Sequence, residues 1–169
     1  MPTEPTEPAL DDTVPVGGNE VLMRRVLKRL VDFDRGKTPP LQAGAFLPNK
    51  RDNDGLSLNR QVTDHYKHFL TADGLKNWHE VPENIRVTCG VVAVLAEVAR
   101  DIGLTVNPDP STTPGHVLIQ EINWNQYAGD ATTDASRLKI EEWALQLAKR
   151  ANVLIQPGKP PDPPTSTAA

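Results

Sequence analysis

The sequence predicts an α+β fold: a single compact domain with a mostly antiparallel sheet, a short central helix and a C-terminal helix, flanked by disordered Pro-rich tails. Three observations predict it. Four of the 16 prolines fall in residues 1–18 and five in 157–169, leaving seven for the long stretch between. Proline fixes φ and lacks an N–H, so both ends favour extended, solvated chain. Between them, β-branched and apolar runs at strand spacing alternate with runs at helical spacing. Turn-forming clusters rich in Asp, Asn, Gly and Pro separate these runs. The domain is therefore expected over residues 19–156, with an acidic tail at 1–18 and a second tail at 157–169.

Each element follows in order. Glu20–Leu30 carries Leu22, Val26 and Leu30 at helical spacing, yet it opens as VLMRRV, which suits a strand equally. Thr38-Pro39-Pro40 forces a break, because a residue before proline avoids the α region. LQAGAFLP then reads as a short strand, and NKRDNDG as a polar turn closed by Asp54-Gly55. Leu56-Ser57-Leu58 resumes extended chain as a hairpin partner. Residues 64–77 read as loop or short helix.

Arg86–Val94 is β-branched and nearly continuous, as expected of a strand buried on both faces. It runs into a helix over Leu95–Ile102, with Gly103 placed to stop it in the left-handed region. Leu104–Val106 is short and extended, and residues 107–115 form a loop stiffened by three prolines. His116–Ile122 returns as a strand. Thr133 or Asp134 caps a final helix to about Asn152, with Ile140, Trp143, Ala144, Leu147 and Ala151 on one face.

Composition restricts the function. The chain has 169 residues, a net charge of −4, 38% apolar residues and one cysteine. No stretch approaches the ~20 apolar residues of a membrane span. A single cysteine forms no internal disulfide, and Cys89 reads as a packing residue in an apolar strand. The N-terminus carries four acids and no basic n-region, unlike a secretory signal, so a cytoplasmic location is expected. Charge also divides the domain, with residues 19–79 at +4 and 80–156 at −4. Either the halves face each other or are ordinary solvated surface, or a basic patch around Arg24, Arg25, Lys28, Arg29, Arg35 and Lys37 meets a phosphate or an acidic partner. A neutral domain with few aromatics near its basic residues argues against nucleic acid.

Two clusters carry candidate chemistry. Asp52-Asn53-Asp54-Gly55 opens like a calcium loop but lacks the bidentate Glu, since Gln61 stands there. With strand alternation in the stretch that follows, Leu56 and Leu58 face the core, Ser57 and Asn59 share the other face, and Arg60 stands beside the sheet face or its edge. A hydroxyl beside a guanidinium holds a phosphate or carboxylate, because Arg offers planar paired donors. Asp54, Arg24 and Arg25 complete the ligand-binding candidates. The second cluster is Pro114-Gly115-His116, which holds a histidine at the mouth of a strand. Its ordinary pKa lies near neutrality, which makes His116 the candidate acid or base, with Asp109 as a partner for its ring. His65, His68 and His79 complete no metal set, so no metal is assigned and the cofactor stays open.

Phe46-x-Pro48, Asp54-Gly55-Leu56-Ser57-x-x-Arg60, Ile102-Gly103-Leu104, Pro108-Asp109-Pro110 and Pro114-Gly115-His116 resemble, in this order, the motif skeleton of a group of small uncharacterised bacterial proteins. The resemblance implies a bacterial origin and a compact domain, and carries no activity with it. A looser likeness is to the mono-ADP-ribosyltransferase folds, in which Arg24 or Arg25, Ser57, and His116 or Glu121 would stand around NAD. The Ser-Thr-Ser run and the Glu-x-Glu of that group are absent. The sequence thus supports a binding or interaction module for a protein partner or a small anionic ligand. The alternative is a small enzyme acting on a phosphorylated or nucleotide-like ligand, which requires Ser57, Arg60 and His116 to converge on one pocket. Oligomeric state is left open.

Overall fold

A computed structural model describes residues 13–27, 29, 31–60, 88–112 and 114–155. These residues form a six-stranded antiparallel sheet with helices, an α+β fold as the sequence predicts. The strands are β1 (Val21–Leu27), β2 (Leu56–Arg60), β3 (Thr88–Leu95), β4 (Asn107–Pro108), β5 (His116–Ile119) and β6 (Asn152–Ile155). The helices are α1 (Ala96–Asp101), α2 (Trp124–Tyr127) and α3 (Asp134–Arg150). The strand order is β4-β5-β2-β1-β3-β6, so β1 lies near the middle, paired with both β2 and β3.

Strand periodicity of two divides the sheet into two faces. Leu22, Arg24 and Val26 of β1 share one face with their cross-strand neighbours Arg60, Val92 and Gly90. Leu56, Leu58, Val117 and Ile119 continue that face across β2 and β5. All four are fully buried in the main core, together with Ile140, Ala144, Leu147 and Ala148 of α3. Met23, Arg25, Ser57, Asn59, His116 and Leu118 belong to the opposite face by the same register. β3 is buried on both sides, since Val91, Val92, Ala93 and Val94 are all at most 5% exposed. That is the environment its β-branched run implies.

The ambiguous 20–30 stretch is a strand. Its helical spacing of Leu22 and Val26 is equally a same-face spacing in a strand, four residues being an even number. LQAGAFLP is not a strand: Ala43–Phe46 forms a 3-10 turn, preceded by a single bridge from Leu41 to Phe33. Gly44 explains the departure, because a Cβ there would overlap the Val31 backbone. The turn also leaves the Ala45 and Leu47 carbonyls available to Arg24, where a strand would have paired them with a neighbour. β2 is consequently the hairpin partner of no segment at 41–48; it pairs with β1 and β5.

Helix signals in the sequence fare better. Gly103, φ +94, terminates α1. Thr133 caps α3 with a capping box, its Oγ1 accepting from Ser136 N at 3.0 Å and Ser136 Oγ accepting from Thr133 N at 2.9 Å. Trp143 on this helix is half-buried and donates its indole N–H to the Ile102 carbonyl at 3.1 Å. α3 stops at Arg150, and Asn152–Ile155 turns back as the edge strand β6 rather than extending the helix. The sequence predicts neither the short α2 nor the edge strands β4 and β6, and β5 ends at Ile119 rather than Ile122.

Residues 14–18, assigned to the tail by proline content, are part of the folded unit. Val16 is 3% exposed, and its carbonyl accepts from Arg100. The Gly18 carbonyl accepts from Glu97 N at the start of α1. The loop or helix expected over 64–77, the histidines at 65, 68 and 79, Trp78, Lys28 and both terminal tails beyond these limits lie outside the described residues. No helix among the described residues is long and apolar enough to cross a membrane.

Candidate functional site

The alternation of β2 decides where its polar residues go. Leu56, Leu58 and Arg60 face the core, while Ser57 and Asn59 face the other way. Ser57 and Arg60, three residues apart, therefore lie on opposite sides of the sheet. The Arg60 side chain is only 1% exposed. Its Nε and Nη2 donate to the two oxygens of Glu20 at 2.8 Å each, and Nη1 donates to the Val14 carbonyl at 2.8 Å. This fork-to-fork geometry is the strong form of an Arg–carboxylate pair. It ties the segment before β1 to the end of β2.

Arg24 is engaged in the same manner. Its guanidinium donates to the carbonyls of Ala45, Ser57 and Leu47 and stands 3.7 Å from Asp52. Burial draws its pKa below the ordinary guanidinium value, and the carboxylates of Asp52 and Asp32 oppose that pull. Asp52 in turn accepts from Asn49 N at 2.8 Å, which fixes the turn before β2. The DxDG stretch is thus a structural turn. Gly55, φ +148, is required there, since a Cβ would stand 2.6 Å from the Ile119 carbonyl oxygen. Asp54 beside it and Arg25 on the far sheet face are both exposed.

His116 opens β5 directly after Gly115, whose φ of +75 turns the chain into the strand. The imidazole is buried, with the residue 6% exposed. Its Nδ1 lies 2.9 Å from Asp109 Oδ2, so the carboxylate orients the ring as the sequence reading allowed. Asp109 also accepts from Thr112 Oγ1 at 2.7 Å and Ser111 Oγ at 3.2 Å. The Thr112 hydroxyl is the main cause holding this carboxyl below its usual range; burial opposes it, and Ser111 and His116 add smaller contributions in the lowering direction. The cross-strand neighbour of His116 is Asn59, and Ser57 shares that face. Glu121 lies in the turn after β5, where its Oε1 accepts from Thr105 N at 2.8 Å.

The structure therefore brings His116, Asp109, Asn59 and Ser57 to one face and takes Arg60 and Arg24 to the other. No pocket holds Ser57, Arg60 and His116 together within hydrogen-bond reach, because the sheet separates Arg60 from the other two. Among the described residues, no group of three or more His, Cys, Asp or Glu side chains is placed to hold a metal ion.

A feature the sequence did not signal lies elsewhere. The loop after β1 and the last turns of α3 enclose an apolar groove of about 300 Å³, lined by Lys37, Thr38, Pro39, Leu41, Gln42, Ala43, Leu145, Ala148 and Lys149. Leu145 is 42% exposed. Both charged residues in this lining are lysines, and both are exposed. The pattern that could have pointed to it is the pair Leu145 and Lys149, spaced i, i+4 on a helix side away from the buried stripe. Comparison of the chain with family models, with curated proteins and with solved structures found no match.

Proposed function

We propose that this chain is an interaction module that docks an acidic protein partner. The distribution of its cations supports the reading most directly. Arg24 and Arg60, the residues an anion site would need, are engaged in holding β1, β2 and the preceding segment together. Lys37 and Lys149 face solvent on either side of an apolar groove instead. Of the two uncharged polar side chains in the lining, Thr38 and Gln42, the Gln42 amide already donates to the carbonyls of Pro39 and Pro40, so it offers little to a small bare anion. A ligand that gains from both lysines and the floor must bring carboxylates and an apolar side chain together. A protein segment does this more readily than a phosphate.

The second reading is a small enzyme, and the Asp109–His116 pair is the observation that favours it. A carboxylate that orients a buried imidazole is an arrangement used in general acid–base catalysis. Here the pair has lost the Arg60 anion clamp it was expected to work with. Affinity capture by the full-length chain at low and high ionic strength, with turnover of nucleotides, NAD and sugar phosphates assayed in parallel, separates the two. A partner released by salt, with no turnover, is the expected result. Turnover that disappears in His116→Ala would overturn the interaction reading in favour of the enzyme.

A further inference from the structure

We infer that the groove between the 37–43 loop and α3 takes an acidic peptide segment carrying one or two branched apolar side chains flanked by carboxylates. The inference rests on the interaction reading and assigns it a place and a ligand class.

The platform is built before any partner arrives. Asp34 N donates to the Pro40 carbonyl and Gln42 N to the Asp32 carbonyl, each at 2.8 Å. Gln42 Nε2 bonds the Pro39 and Pro40 carbonyls at 2.9 and 3.1 Å, and the Asp34 carboxylate accepts from Gly36 N at 2.9 Å. Leu41 is anchored in the main core at 6% exposure and bridges Phe33. A surface held in this way loses little conformational entropy on binding, which favours affinity from a small contact.

The other wall is the outer side of α3. Leu145 and Lys149 lie one turn apart on it, and Leu138, 65% exposed, precedes Leu145 by seven residues. Seven residues advance a helix by about 10 Å with little rotation, so Leu138 lies on the same side as Leu145, with Glu141 and Glu142 between them. The acids on this helix do not neutralise its rim. Of its three acids, Asp134 stands in the first turn, at the other end of the helix from Lys149, while Glu141 pairs with Arg137 at 3.3 Å and Glu142 with Lys139 at 3.6 Å within the helix.

Size and charge select the occupant. A volume of about 300 Å³ stands at the bottom of the range for ligand pockets, enough for one or two side chains. Two lysines without a lining acid call for carboxylates on either side of that anchor. A second copy of this chain is a poor fit, because a two-fold interface must complement itself and this rim carries one sign of charge.

Fluorescence anisotropy of the full-length chain against a fluorescein-labelled hexapeptide, two central leucines with two acids on each side, tests the assignment. Saturable binding is expected, weakening several-fold between low and high salt because exposed charges are screened. K37E/K149E is expected to bind roughly tenfold more weakly, a difference of about 1.4 kcal/mol. Both positions are exposed, so an unchanged melting temperature will show that the double variant folds. A control peptide with serines for the leucines is expected to bind more weakly than the parent. Equal affinity of wild type and K37E/K149E would overturn the assignment, as would equal affinity for the leucine and serine peptides. Concentration-dependent dimerisation lost in K37E/K149E would overturn it in favour of a second copy. A salt-sensitive partner captured equally by wild type and K37E/K149E would sink the groove while leaving the interaction reading intact.

Discussion

Arg60 illustrates how a buried charge is retained in this molecule. Its side chain is 1% exposed, and three of its N–H groups meet a carboxylate and a carbonyl at 2.8 Å. Its partner Glu20 is 23% exposed and also accepts from Gly17 N, so truncating Arg60 costs about 3 kcal/mol, the low end for breaking a buried pair. Arg60→Ala is therefore expected to lower the unfolding free energy by roughly that amount in urea denaturation, and Ser57→Ala, with its hydroxyl on the other face, by less than about 1 kcal/mol. Equal costs for the two would contradict the placement. Asp109 behaves differently because it lies nearer the surface. Hydroxyl donors and His116 hold its carboxyl below the ordinary value, so the native state favours the charged form. Its contribution is complete above about pH 4 and is lost as pH falls through the lowered native pKa. The stability difference between wild type and Asp109→Asn should thus be present at neutral pH, below about 1 kcal/mol given the exposure, and should shrink towards zero in acid. Asp32 has the opposite sign, since burial raises its pKa. It is common to both proteins in this comparison and cancels.

At the scale of elements, local signals with a stereochemical cause were legible in the sequence. Gly103 ends α1 because glycine occupies a φ of +94 without strain. Thr133 starts α3 because its hydroxyl satisfies an otherwise unpaired N–H. Thr133→Ala should accordingly destabilise the chain by about 1 kcal/mol in thermal or urea unfolding. Ser136→Ala should cost at least as much, since Ser136 Oγ also donates to the Gln126 carbonyl at 2.7 Å and ties α2 to α3. If both substitutions were neutral, the cap would have no energetic role. Elements defined by partners were less legible. The 3-10 turn at Ala43–Phe46 depends on Gly44 packing against Val31 and on Arg24 reaching its carbonyls, contacts between residues that are distant in sequence. The candidate site shows the same division. Asp109 and His116 are seven residues apart on adjoining elements, and the sequence paired them. Arg60 and Glu20 are 40 residues apart, and nothing local marks the guanidinium as already occupied.

Over the whole molecule, the charge asymmetry of the sequence acquires a more specific form. The first half of the domain carries a surplus of basic residues, yet Arg24, Arg29 and Arg60 find Asp52, Asp32 and Glu20 within that same half. These pairs support the fold and withdraw three arginines from the binding surface. The cations beside the apolar groove are Lys37 and Lys149, one from each half of the sequence, brought together when α3 packs over the loop after β1. Docking at that rim is the central claim, and an amide chemical-shift map of the full-length chain titrated with the acidic leucine hexapeptide tests it most directly. Shifts concentrated in residues 37–43 and 145–149, and diminished by added salt, are the expected result. Shifts concentrated instead around Asn59, Asp109 and His116 would contradict the account and return the function to the opposite face of the sheet.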